Sequence, residues 1–188
     1  MLTLILISIT CTTSLIVIND GFLKLKFSFY PNRIYREKEY YRFITYGFIH
    51  INYPHLILNM CALGVFGSMV EEKFTIPFYI LLYVGGLLFC VAITYVKYKN
   101  NSNYVVLGSS GGISSLVFSA ILINPGMKLC MAIPAYIFGI VFLVIAWILS
   151  RNRDKLVAHE AHLFGSLFGF FLPILFYPHL FIDFIDRI

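Results

Sequence analysis

A hydroxyl, two imidazoles and a carboxamide are the side chains of this sequence that could do chemistry together. Ser110, His55, His162 and Asn59 stand out, with His50, Asn52 and Ser109, as polar groups inside stretches that carry no charge. A serine becomes a nucleophile when a positioned base takes its proton, and imidazole suits that task near neutral pH. Amide and imidazole N–H groups can then hold the oxyanion formed when a carbonyl is attacked. The parts fit acyl transfer, provided that the elements carrying them bring them together.

Composition says what those elements are. The 188 residues are 60% hydrophobic and 12% charged, whereas an ordinary soluble domain carries about 25% charged residues. No Asp, Glu, Lys or Arg occurs in 1–19, 43–70, 74–96, 100–127, 129–150 or 161–182. A charge at the bilayer centre costs several kcal/mol and a span needs roughly 20 apolar residues. The reading is therefore an all-α, polytopic bundle of six transmembrane helices in one domain over 1–188. The spans fall at about 1–19, 50–70, 75–96, 108–124, 129–150 and 159–178. The first connection, 20–45, mixes Lys24, Lys26, Arg33, Arg36 and Lys38 with seven aromatic residues from Phe22 to Tyr41, as suits an interfacial segment. Residues 1–19 lack a basic leader and a small-residue cleavage site, so they read as the first span rather than a signal peptide. Cys11, Cys61, Cys90 and Cys130 lie in separate apolar stretches, which favours buried thiols over a disulfide framework. The net charge of +5 falls mostly in loops beside spans, where lipid headgroups explain it without nucleic acid.

Spans two, four and six run in the same direction, so their polar groups can be placed on one depth scale. Counted back from Glu71, Asn124 and Pro178 at about 1.5 Å per residue, Asn59, His55, Ser110 and His162 lie roughly 18 to 24 Å from the far ends. All four share a layer below the near surface of a core about 30 Å thick. Ser110 falls at a helix N-terminus beginning near Gly108, where the backbone N–H is unpaired and the macrodipole favours negative charge. Its surroundings read Gly108, Ser109, Ser110, Gly111, Gly112, and His162 is followed by Gly165 and Gly169. Glycines at such spacings also serve close helix packing. The two readings reinforce each other, since a serine and a histidine on different helices need a close approach.

These elements, taken in order, resemble the rhomboid family. His50 to Asn59 looks like its H-x-x-x-x-H-x-x-x-N element, Ser110 its G-x-S-G serine, and Ala161, His162 and Gly165 its A-H-x-x-G motif. The resemblance covers roughly Arg42 to Gly169. It implies an intramembrane serine endopeptidase with Ser110 as nucleophile, His162 as base, and an oxyanion hole of His55, Asn59 and the Ser110 N–H. No aspartate lies within a span, so the pair would act as a dyad. Gly108, Gly111, Gly165, Gly169, Arg42 and Glu71 would be structural residues near the site, and no cofactor or metal is implied. The expected partners are a transmembrane protein substrate and the lipid bilayer, and the expected location is a bacterial plasma membrane. Two features depart from the family. Ser114 stands where members often carry an aromatic residue packing beneath the histidine, so His162 would be held less firmly or by another ring. Lys and Arg also concentrate in the first, third and fifth connections, which the positive-inside rule would make cytoplasmic. The family's orientation, with the amino terminus in the cytosol and the serine's mouth outside, is preferred here.

Rival chemistries lack their parts. His159, Glu160, Ala161, His162 puts the second histidine one position early for the zinc motif H-E-x-x-H, and an aspartyl enzyme needs carboxylates within spans. The competing reading is a catalytically inactive rhomboid-like protein that binds transmembrane segments; intact Ser110 and His162 argue against it.

Overall fold

Apolar helices fill the uncharged stretches, and their limits follow from local chemistry. The computed structural model describes residues 1–129, 132–150 and 159–188. Helix α1 spans Leu2–Val17. The first connection holds α2 (Gly21–Phe27), α3 (Pro31–Glu37), α4 (Arg42–Thr45) and a 3-10 turn over Tyr46–Phe48. Asp20 starts α2 by accepting the Phe22 and Leu23 amides at 2.9 and 3.0 Å, which satisfies two of its orphan donors. α5 (Tyr53–Ala62) continues through a π segment, Leu63–Gly67, into α6 (Ser68–Lys73). Then come α7 (Ile76–Tyr98), α8 (Ser110–Ile123), the paired β1 (Lys128–Leu129) and β2 (Ile133–Pro134), α9 (Ala135–Ser150), α10 (His159–Phe176) and α11 (His179–Ile185).

Among the described residues three helices are long and apolar enough to cross a membrane: Tyr53–Lys73, Ile76–Tyr98 and His159–Phe176. α1, α8 and α9, at 16, 14 and 16 residues, are shorter, reaching about 21 to 24 Å against a core of about 30 Å. Bilayer contact is written on the exterior, where Leu4, Ile80, Ile140, Val144 and Leu175 are all exposed. Water would not tolerate such continuous apolar faces, and lipid does. α8 is the opposite case. It is buried on nearly every side, from Gly111 to Leu122, and packs against α7 and α10 around Tyr79, Leu82, Tyr83, Leu87 and Leu116.

The reading of 129–150 as a span differs from the structure at its start. Lys128 pairs with Pro134 and Leu129 with Ile133 in a short antiparallel ladder, and the helix begins only at Ala135. The second and fourth helices also begin later than read, at Tyr53 and Ser110. Cys11, Cys61 and Cys90 are free thiols; Cys130 lies outside the described residues.

Two ionic groups, buried Arg42 and partly exposed Glu71, tie the periphery to the bundle. Arg42, with no exposed surface, donates to Glu39 Oε2 at 2.6 Å and to the Leu25 and Ser28 carbonyls at 2.7 and 2.9 Å. It thereby closes the first connection on itself. That connection also docks on the segment after α7, through a Phe29–Val106 bridge and a bond from Asn32 Nδ2 to the Lys99 carbonyl at 3.1 Å. Glu71 accepts the Leu2 and Thr3 amides at 2.6 and 3.0 Å, setting a carboxylate at the α1 N-terminus where the dipole favours it. Contacts also define two ends. Phe74 and Tyr177 meet at 5.3 Å and Arg187 Nη1 donates to the Ile123 carbonyl at 3.2 Å, so α6, α8 and α10 finish at one end. At the other, Lys97 pairs with Glu160.

Candidate active site

His55 and Asn59 owe their position to the cap of α5. Asn52 is extended and its side chain accepts the His55 amide at 2.9 Å, while Pro54 fills an early helical position that needs no N–H partner. His55 therefore sits in the first turn, and Asn59 follows one turn later on the same face. Asn59 Nδ2 donates to the His55 carbonyl at 2.8 Å, leaving a second N–H on that nitrogen.

Ser110 is presented by a turn that only glycine could make. Gly108 has φ +122°, and a Cβ there would stand 2.7 Å from His55 Cε1. Both the backbone and the imbricated His55 ring exclude a side chain. Directly after this turn α8 starts, so Ser110 is its first residue and its N–H has no intrahelical partner.

His162 lies in the first turn of α10, and glycines set the distance between the two helices. A Cβ on Gly165 would run into the Gly111 carbonyl, and one on Gly169 into the Ser115 carbonyl. Ser119 Oγ adds a bond across the crossing to the Gly169 carbonyl at 2.7 Å. On the opposite flank of α8, a Cβ on Gly86 would stand 2.6 Å from Ser115 Cβ and one on Gly112 2.7 Å from the Tyr83 carbonyl oxygen. Gly111 fits against Cys90 Sγ. The close approach expected of the Gly165 and Gly169 face is thus an approach to the serine's own helix.

A cavity of about 370 Å³ unites the four residues. Ser110, His162, His55 and Asn59 all line it, with Ser114 and an apolar wall that includes Leu58, Ile113 and Phe142. Residues of α5, α8 and α10 meet there, and Ser110 brings the N-terminus of α8, where the dipole favours negative charge, to its wall. Among the described residues no hydrogen bond joins Ser110 Oγ to His162, a looseness common before a substrate is bound. Arg42 and Glu71 are not at the cavity; they act through the scaffold as described above.

One buried residue of the motif takes a place the sequence does not disclose. His50, fully buried, accepts or donates at both ring nitrogens, to Ser14 Oγ at 2.9 Å and Ser109 Oγ at 3.1 Å. It ties α1 to the residue just before the candidate nucleophile and lies 5.0 Å from the His55 ring. The signal in the sequence was the polar residue itself, in an apolar stretch. Its partners come from distant elements.

Comparison with known proteins points the same way. The Rhomboid domain model matches residues 37–179. Over 145 residues the chain is 28% identical to Rhomboid-related protein 1 of Caenorhabditis elegans, covering 71% of this chain and 39% of that protein. Over 143 residues it is 27% identical to RHOMBOID-like protein 12, mitochondrial, of Arabidopsis thaliana, covering 65% of this chain and 42% of that protein. The aligned part is about two fifths of the length of these curated relatives.

Proposed function

Since the chain belongs to the rhomboid family, we propose that it is an intramembrane serine endopeptidase that cuts transmembrane protein substrates with a Ser110–His162 dyad. One observation carries the reading: Ser110, His162, His55 and Asn59, from three different helices, line a single cavity.

In the proposed reaction the neutral His162 imidazole takes the proton of Ser110 Oγ as that oxygen attacks the scissile carbonyl. The carbonyl oxygen gains the negative charge. It is received by the Ser110 N–H, the free N–H of Asn59 and the His55 ring, with the α8 dipole adding to them. His162 then gives its proton to the leaving amine, and water repeats the cycle on the acyl-enzyme. One oxyanion donor is worth about 3 to 4 kcal/mol. No cofactor is needed for these steps. The apolar wall formed by Leu58, Ile113, Val117 and Phe138 suits an extended stretch of an apolar substrate segment.

Six spans are part of the proposal, with the shorter α1, α8 and α9 crossing beside the three long helices. So is a bacterial plasma membrane, which rests on the resemblance alone and is tested by fractionation.

Cleavage of a transmembrane substrate by the purified chain tests the reading. Ser110→Ala should abolish both cleavage and labelling by a fluorophosphonate. Ser115→Ala should keep both, because Ser115 Oγ points away from the cavity to donate to the Leu82 carbonyl at 2.9 Å. A wild-type chain that binds such segments without cutting them, and whose Ser110 does not react, would be the inactive binding protein instead.

A further inference from the structure

A general base must hold its ring in one orientation to be useful. Among the described residues no carboxylate hydrogen-bonds the His162 imidazole, and two rings lie against it. Phe142 of α9 lies 6.0 Å away with planes at 37°, and His159, three residues back on the same helix, lies edge-on at 5.9 Å. Only the first of these ring contacts comes from another element.

Phe142 is itself braced, by Phe118 at 5.9 Å and by Phe138 at 6.0 Å. Phe118 belongs to α8 and completes a stripe along it: Ser110, Ser114 and Phe118, at i, i+4 and i+8, all line the cavity. The middle position carries only a hydroxymethyl group. A ring from α9, resting on Phe118, therefore flanks His162 at the level where α8 offers no bulk.

We propose that Phe142 is the positioning residue of the base, holding the His162 imidazole toward α8 in place of a side chain that Ser114 is too small to supply. This rests on the reading of His162 as the base. The support comes from a lightly enclosed helix, since α9 buries only Ala135, Gly139 and Ala146 and turns Val141, Val144 and Ile145 outward. The orientation of the base thus depends on where α9 stands.

Two measurements on the full chain in detergent micelles test this: fluorophosphonate labelling and substrate kinetics, and proton–carbon spectra of labelled histidine. Phe142→Ala should slow labelling and kcat by roughly tenfold or more, with KM within about twofold. Phe142→Tyr should keep the rate, and adding Ser114→Phe to Phe142→Ala should recover it, which a merely structural loss would not allow. Leu58→Ala, which widens the same cavity away from the rings that brace Phe142, should raise KM instead. In the spectra, the ring-current shift of the His162 C–H signals should vanish in Phe142→Ala and return in the double variant. Wild-type rate and an unmoved His162 signal in Phe142→Ala, or no recovery on adding Ser114→Phe, would overturn the proposal. An inert wild type would sink the protease reading, while the His162 signal would still decide whether Phe142 holds the ring.

Discussion

Asn59 has one donor nitrogen and two tasks. One N–H is spent on the His55 carbonyl at 2.8 Å, which fixes the carboxamide on the cavity side of α5. The second is the proposed oxyanion donor. Asn59→Ala should therefore lower kcat by about 10²-fold or more while KM changes little, since the interaction strengthens only as charge develops; steady-state cleavage of one substrate checks it. An equal rise in KM with kcat intact would assign Asn59 to substrate binding. At this scale the sequence was most informative, because a polar side chain within an uncharged span is costly and so conspicuous. Ser110, His162, His55 and Asn59 were all legible for that reason. His50 was visible too, yet its link from Ser14 to Ser109 was not, since spacing along one segment says nothing of partners 36 and 59 residues away. Phe142 gave no signal at all, being one more phenylalanine in an apolar helix.

Between elements, the contact that matters most is α8 against α10, and it is built from backbone rather than side chains. Gly169 and Gly165 face the carbonyls of Ser115 and Gly111, groups that cannot rotate aside. A Cβ on Gly47 would meet the ends of the Leu87 side chain, at 2.9 and 3.0 Å, which can. Gly169→Ala should therefore cost about 3 kcal/mol or more and Gly47→Ala about 1 kcal/mol, read as a large and a small fall in Tm in micelles. Equal falls would mean that the helices are free to separate by a methyl's width. The Gly165 and Gly169 stripe was readable as a close-packing face, although the sequence did not say which helix it met. Other features of the elements were hidden by their nature. The π segment at Leu63–Gly67 keeps the apolar pattern of an ordinary helix, and the β1–β2 pair is two residues long on each side, too short to show a period.

Across the whole molecule, the distribution of charge conflicts with the orientation that the family resemblance implies, and the contacts give a physical reason to expect the count to mislead. The first connection and the start of α10 lie at the mouth end, where most basic residues gather. Several of them are already engaged there: Arg42 with Glu39, Arg33 with Glu37, and Lys97 with Glu160. Arg42 is also buried inside its loop, and Lys24 Nζ donates to the Ile51 carbonyl at 3.3 Å. The positive-inside rule describes cations in short flexible loops, and a folded, internally paired loop meets that description poorly. Single cysteines in a background without the native thiols turn this into a measurement. Arg36→Cys and Asn100→Cys, both at exposed positions of the mouth end, should react with an impermeant maleimide on intact cells. Lys73→Cys and Lys128→Cys, exposed at the other end, should react only after permeabilisation. The reverse pattern would restore the charge rule and put the mouth in the cytosol, whereas labelling of all four from one side would contradict the alternation of six spans on which the common depth of Ser110, His55, Asn59 and His162 was reckoned.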